Sequence, residues 1–344
     1  MIAKNVNLPV IICVEENLLC QTPQLISSKG LVFNNPLIVT GRGRTKQIGE
    51  QLIPYLKPRH SAISVKDASL SEMERIRQRI VEKNIDSLFA VGGGKAIDAG
   101  KCAAFSCGIN FIAIPTAVSN DGIASPVAVI ENCGRTESRM TSIPTALIAD
   151  LTVIEKAPPG TTRSGVGDLL SNLSAALDWK LAAINTKEPF DAFTASMARS
   201  AALKILETSV PDLHNHDFLR SLIEGLVMSG MAMTIHGSSR PSSGSEHMIS
   251  HAMDALFDSP GSHGEQCGVA TLFTLALHNE PTEKIRVLFN RLKLKKQPSD
   301  LGLTKKEFLK AVSKGPSMRT GRYSILNEAD SKSKEWAYSI AFEA

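Results

Sequence analysis

Aromatic side chains are scarce. Phe, Tyr and Trp together make up 5% of the 344 residues. That is too few for the ring platforms on which single-stranded nucleic acid stacks. A dominant charge is also lacking. With 38 basic against 34 acidic residues, the net charge is only +4 and is dispersed, so no nucleic-acid partner is expected. Cysteines are few, at positions 13, 20, 102, 107, 133 and 267, and none forms a CxxC pair. Their apolar surroundings suggest reduced, buried thiols instead of a disulfide framework. No apolar run is suited to span a bilayer. The charge-free stretch 102–120 is broken by Ser106, Gly108, Asn110, Pro115 and Thr116. Near the start, Glu15 and Glu16 closely follow a short apolar stretch, and no small-residue cleavage pattern or lipidation motif is visible. The expectation is a soluble cytoplasmic protein without stable membrane insertion.

What is present is ordinary globular material, 43% apolar and 21% charged, long enough for about two domains. Its texture changes midway. Leu37–Thr40, Ser61–Val65, Ser87–Val91 and Phe111–Ile114 read as strands. Between them lie helical stretches Thr45–Leu56, Ser71–Lys83 (with Ser69 or Ser71 as N-cap) and Ala96–Phe105. Val127–Ile130 and Ala146–Asp150 read as further strands. This alternation predicts an α/β domain whose parallel sheet has helices on both faces and binds ligands at the carboxyl ends of its strands. After Pro158-Pro159-Gly160 the chain reads as helices: Gly167–Ala183, Pro189–Thr208, Asp217–Ile235, Ser245–Phe257 and Gly264–His278. The expected domains are therefore 1–157, α/β, and 158–344, all-α.

Three constellations carry chemistry. Gly92-Gly93-Gly94-Lys95-Ala96-Ile97-Asp98 follows a strand and opens a helix, where free amides and glycine backbone suit a pyrophosphate. It is neither GxGxxG nor a P-loop; an ordinary glycine turn is the bland alternative. The loop after the next strand, Pro115 to Pro126, presents Thr116, Ser119, Asn120, Asp121 and Ser125 at the same sheet edge. Finally, His247 and His251 share a helix face at i,i+4, His263 begins the next helix, and Asp168 opens an earlier one. Imidazoles with a carboxylate form a catalytic divalent-metal set. Spacing alone pairs His247 with His251 and leaves Asp168 open to a role as N-cap.

These residues carry a resemblance. The Gly92-Gly93-Gly94-Lys95-x-x-Asp98 loop, Thr116-x-x-Ser119-Asn120-Asp121-Gly122-x-x-Ser125-Pro126, Gly167-Asp168-Leu169-Leu170-Ser171-Asn172, Ser242 to His251, Gly261-Ser262-His263-Gly264-Glu265 and the late Arg319 to Leu326 segment resemble the sn-glycerol-1-phosphate dehydrogenase family. That family lies within the superfamily of iron-containing alcohol dehydrogenases, glycerol dehydrogenase and dehydroquinate synthase. The likeness spans nearly the whole chain; the triple glycine is shared across the superfamily, while the Ser119–Pro126 loop is closer to the glycerophosphate enzymes.

The resemblance implies that 1–157 is a Rossmann-like nucleotide-binding domain and 158–344 a helical domain holding metal and substrate, with the active site in the cleft between them. It implies one zinc per chain on Asp168, His247 and His263, with His251 facing substrate instead of metal. NAD(H) or NADP(H) would be held at its pyrophosphate by the glycine loop, with Thr116, Ala117, Val118, Ser119 and Ser125 on the nicotinamide side. Asp121 would contact substrate. The implied reaction reduces dihydroxyacetone phosphate to sn-glycerol 1-phosphate for lipid backbone synthesis, in a homo-oligomer. Arg163 and Arg240 are sequence candidates for the substrate phosphate, and Lys66 and Asp67 for choosing between the two cofactors. A glycerol or other polyol dehydrogenase is the alternative enzyme, and a silent nucleotide-binding regulator the alternative outside catalysis.

Overall fold

The computed structural model describes residues 6–56, 59–132 and 135–343. The chain divides into two compact units, Met1–Pro158 and Pro159–Ala344. In the first unit the order is β1 (Ile11–Glu15), α1 (Thr22–Ser28), β2 (Pro36–Thr40), α2 (Arg44–Glu50), β3 (Ser61–Ser64), α3 (Leu70–Lys83), β4 (Ser87–Gly92), α4 (Gly94–Cys107), β5 (Asn110–Pro115), β6 (Val127–Asn132), β7 (Arg135–Met140), β8 (Ala146–Asp150) and α5 (Leu151–Ile154).

Six strands form a parallel sheet in the order β1-β8-β5-β4-β2-β3. Every residue of β2, β4 and β8 is buried. This is why they read as unbroken apolar runs: a parallel sheet is covered on both faces. The chain moves from β2 outward to β3, then returns to lay β4 on the other side of β2. The order reverses between β2 and β4, and such a reversal opens a crevice at the strands' carboxyl ends. Gly41 follows β2 and Gly92 ends β4, so both glycine turns flank it.

Two strands were not legible as strands. β1 was read only as a short apolar stretch before two glutamates, and β7 is too polar (Arg-Thr-Glu-Ser-Arg-Met) to show an apolar pattern. β7 pairs antiparallel with β6. Ala128 and Ile130 of β6 pack with Cys102 of α4 and beside Leu70 and Met73 of α3. The helix expected over Thr45–Leu56 stops at Glu50 and resumes as a 3₁₀ turn, Ile53–Tyr55. Pro54 cannot continue the i→i−4 ladder. Ser69 is the N-cap of α3, accepting from Glu72 N at 3.3 Å.

The second unit continues with α6 (Pro159–Thr186), α7 (Ala192–Leu206), α8 (His216–His236), α9 (Ser245–Phe257), α10 (His263–Leu277), α11 (Glu283–Leu292), α12 (Lys305–Lys314) and α13 (Ser331–Tyr338). Among the described residues it has no strand. Its core gathers Met248, Ile249, Met253, Phe273, Phe308 and Leu326 with their neighbours. Among the described residues, α8 alone is long and apolar enough to cross a membrane, but 61% of its apolar window is buried and it packs on α7 and α6. Asp168 does not open a helix. α6 begins at Pro159, so Asp168 lies well inside it. Gly165 and Gly167, which suggest a helix start, are helical residues, and Gly167 admits the backbone of Gly264. The five described cysteines are free thiols, and Cys133 lies outside the described residues.

Candidate functional site

In the α/β unit, Gly93 is the N-cap of α4 and offers no side chain to the helix amides. The amides of Ala96 and Ile97 already donate to Gly93 O, at 3.1 and 3.2 Å. Gly94 N and Lys95 N have no partner among the described residues, and no atom lies within 4 Å of where a Cβ on Gly93 or Gly94 would stand. Two free helix amides beside open space make an anion cradle. Ala96 and Ile97 are buried, so their side chains serve packing. At Gly92 a Cβ would meet the Ala96 Cβ at 2.8 Å, so glycine is needed there.

The neighbouring loop is tied to this cradle. Thr116 N donates to Gly92 O at 3.0 Å. Asn120 Oδ1 accepts Gly122 N at 2.9 Å and caps the short turn Asp121–Ile123. The Ser125 hydroxyl donates to Val127 O at 3.2 Å, and Val118 is fully buried. A residue the sequence reading passed over holds the loop in place. Lys101, fully buried on α4, donates to Gly122 O at 2.6 Å and to Val127 O at 2.7 Å. Asp98 Oδ1 lies 3.7 Å from the same ammonium. Burial pushes Asp98 up to about 6, opposed by Lys101. A lysine three residues after an aspartate on one helix face was the available signal.

In the helical unit, Asp168 Oδ1 lies 3.5 Å from His263 Nε2 and 3.8 Å from His247 Nε2. Donors at such separations suit one ion about 2 Å from each. Neighbours fix both rings. Glu246 Oε1 accepts from Gly244 N at 2.6 Å and faces His247 Nδ1 at 2.9 Å, while Oε2 accepts from Ser174 Oγ at 2.6 Å. With Glu246 ionised, His247 Nδ1 carries the proton, and Nε2 presents its lone pair toward Asp168. Burial, then Asp178, pushes Glu246 up to about 7. For His263 the relay is longer. Gln266 Nε2 donates to Asp254 at 2.7 Å, so its Oε1 accepts the Ser250 hydroxyl at 2.6 Å. Ser250 is left to accept from His263 Nδ1 at 3.2 Å, freeing His263 Nε2 as a ligand. Ser262 N donates to Glu265 at 3.0 Å, which fixes the start of α10 at His263.

Cys267 is a fourth possible donor that the sequence reading missed. Its Sγ lies 3.6 Å from His263 Nε2, one helical turn along α10. Burial, then Asp168 and Glu246, raises its thiol well above the usual range. His251 stands outside this group, its ring centroid 6.5 Å from that of His247 and 6.0 Å from that of His263. Burial, then the two histidines, pushes it down to about 2 and keeps it neutral. Arg240 is buried and committed to Glu188, with Nε at 2.8 Å and Nη2 at 3.0 Å, and to Tyr323 O at 2.8 Å. Arg163 Nε donates to Leu292 O at 2.8 Å. Asp178 was not singled out either. It accepts from Ser245 N at 2.6 Å and Ile325 N at 2.7 Å, with His278 Nε2 at 3.1 Å.

Residues 13–158 match the family model of iron-containing alcohol dehydrogenases. Among solved structures, a probable glycerol dehydrogenase from Sinorhizobium meliloti shares the fold with a TM-score of 0.77 at 19% identity, covering 98% of each chain. A sulfoacetaldehyde reductase from Bifidobacterium kashiwanohense, solved with NAD+, does so at 0.77 and 18%, covering all of both chains. Sequence relatives are nearer. The glycerol-1-phosphate dehydrogenase [NAD(P)+] of Pyrococcus horikoshii is 38% identical over 309 residues, covering 88% of this chain and 87% of the relative. That of Thermococcus kodakarensis is 35% identical over 339 residues, covering 97% and 96%. With this identity along nearly its whole length, the chain belongs to the glycerol-1-phosphate dehydrogenase family.

Proposed function

We propose that the protein reduces dihydroxyacetone phosphate to sn-glycerol 1-phosphate with NADH or NADPH, providing a glycerophosphate backbone for ether lipids. The observation that carries the reading is the convergence of Asp168, His247 and His263, with both imidazole lone pairs fixed toward one point. These three residues would hold a divalent ion, zinc in our reading, one per chain. Gly94 N and Lys95 N would bind the cofactor pyrophosphate, with Thr116, Ala117, Val118, Ser119 and Ser125 toward the nicotinamide. When bound, the cofactor supplies a hydride and the ion stabilises the negative charge gained by the ketone oxygen. Asp121 accepts a hydrogen bond from a substrate hydroxyl and so selects the carbonyl face that is reduced. His251, held neutral, relays the proton that the new hydroxyl requires, giving up its N–H while its other nitrogen accepts a proton. The enzyme acts in the cytoplasm as a homo-oligomer.

The test is the loss of reduced-nicotinamide absorbance with dihydroxyacetone phosphate, with and without chelator, followed by chiral analysis of the product. Chelator-sensitive turnover to the 1-phosphate enantiomer is expected. Turnover of unphosphorylated polyols alone, or no turnover by metal-loaded protein, would overturn the reading.

A further inference from the structure

We propose that the basic surface formed by α11, α12 and α13 docks the protein on the face of an anionic lipid bilayer. The inference stands apart from the reaction proposed above. Positive charge is not dispersed along the chain, as the composition suggests. Residues 283–314 hold ten basic and three acidic side chains, a surplus larger than the +4 of the whole chain, so the remainder is net negative. The surplus is also ordered. Lys306, Lys310 and Lys314 recur at i, i+4 and i+8 and form one exposed stripe on α12, away from the buried Phe308, Ala311 and Val312. At the end of α11, Arg291 and the C-cap Lys293 are exposed, while Leu288, Phe289 and Leu292 are buried. Among the described residues none of these five cations lies within ion-pair distance of a carboxylate, in contrast to Lys295 with Glu265.

Helix α13 ties the surface together. Lys334 Nζ donates to Ser313 Oγ at 3.5 Å, which holds α13 beside α12. Arg286 Nη2 donates to Ile340 O at 3.0 Å, which holds the turn after α13 beside α11. The acids brought in with α13 are already neutralised, because Lys305 pairs with Glu335 at 3.0 Å and with Glu343 at 3.1 Å. A separate observation selects the partner. Val287 of α11, Trp336 of α13 and Ile340 just beyond it are 51%, 46% and 42% exposed. Large apolar side chains among lysines suit the headgroup level of a bilayer, where tryptophan settles and aliphatic groups reach the first methylenes. Each lysine close to an anionic surface adds to the attraction. A nucleic-acid backbone would reward the lysines but leave Val287 and Ile340 in water. The docking is peripheral, since these helices, of 10, 10 and 8 residues, are too short to span a bilayer.

The experiment floats the full chain with vesicles at low salt. Vesicles of phosphatidylcholine alone are compared with vesicles of phosphatidylcholine and phosphatidylglycerol in equal parts. The parent should bind the anionic vesicles, leave the neutral ones, and be released as salt rises. The triple variant Lys306→Gln, Lys310→Gln, Lys314→Gln should lose affinity by about 10-fold or more, while arginine at the same three positions should keep it. Trp336→Gln should weaken binding about 3- to 10-fold. The chain has two tryptophans, and Trp179 is fully buried, so Trp336 is the one whose surroundings change on docking. Emission of the parent should therefore move to shorter wavelength with anionic vesicles only. The substituted side chains are exposed, so thermal midpoints equal to the parent's verify the fold. A parent that ignores anionic vesicles, binds neutral ones equally well, or keeps its affinity after the triple glutamine substitution overturns the proposal. Tighter binding to a DNA duplex, with no emission shift on vesicles, overturns it in favour of a nucleic-acid surface.

Discussion

Gly167 of α6 and Gly264 of α10 meet backbone to backbone. A Cβ on Gly167 would stand 2.1 Å from the Gly264 carbonyl oxygen, and one on Gly264 would stand 1.8 Å from the Ser164 carbonyl oxygen. Each glycine is the direct neighbour of a proposed ligand, Asp168 in one case and His263 in the other. The helix contact and the 3.5 Å approach of Asp168 to His263 are thus one geometric fact.

Gly264→Ala should therefore force α6 and α10 apart. Overpacking of this kind costs about 1–3 kcal/mol, and the backbone contact here puts the change at the upper end. A lower thermal midpoint together with weakened metal binding is expected. A variant that keeps both would show that the contact does not set the ligand spacing.

Glu246→Gln addresses the ring orientation of His247. The amide offers one acceptor where the carboxylate offers two, and Gly244 N, Ser174 Oγ and His247 Nδ1 compete for it. Losing such a partner typically weakens metal affinity by about 10- to 100-fold. Titration with a metal buffer measures this directly, and an affinity equal to the parent's refutes the orienting role.

Lys101→Met keeps the length of a buried side chain and removes its ammonium. Two carbonyls, Gly122 O and Val127 O, lose their donor, and Asp98 loses its counter-charge. A destabilisation of about 3–5 kcal/mol is expected from breaking a buried pair on one side only. Hydrogen exchange should accelerate across residues 121–127, and NADH affinity should fall with it.

The pH dependence of Asp98 has a definite sign. Its folded pKa, about 6, exceeds the ordinary aspartate value of 3.8, so the native state binds more protons between those values. Its contribution to stability is therefore greatest below pH 4 and falls as pH rises to 6, by about 2–3 kcal/mol in all. Asp98→Asn lacks this slope. Denaturant midpoints from pH 4.5 to 6.5 should show the variant gaining on the parent as pH rises; parallel curves would rule the assignment out.

Much of the α/β unit was legible because buried parallel strands leave continuous apolar runs such as Ser87–Gly92 and Ala146–Asp150. β7 was not, because its pattern answers to its partner β6 and not to a core. In the helical unit Ser245–Phe257 is periodic and its limits were readable, whereas the start of α6 was masked by Gly165 and Gly167, the latter placed there to admit the backbone of α10. Asp168, His247 and His263 were visible as residue types, and their grouping came from resemblance. Lys101, Asp178 and the Ser250–Gln266–Asp254 relay escaped notice because their partners are backbone atoms or side chains that only the fold brings near.

Among the described residues the edge strand β1 pairs only with β8, and Asp150 at the end of β8 accepts Leu19 N across 131 residues. Made long before β8, β1 stays without that partner until nearly the whole α/β unit has been synthesised. Folding of this unit thus waits on one long-range closure, a topology that slows folding and leaves an apolar strand open to wrong pairings meanwhile. During synthesis, β1 is the strand that a chaperone has most to protect.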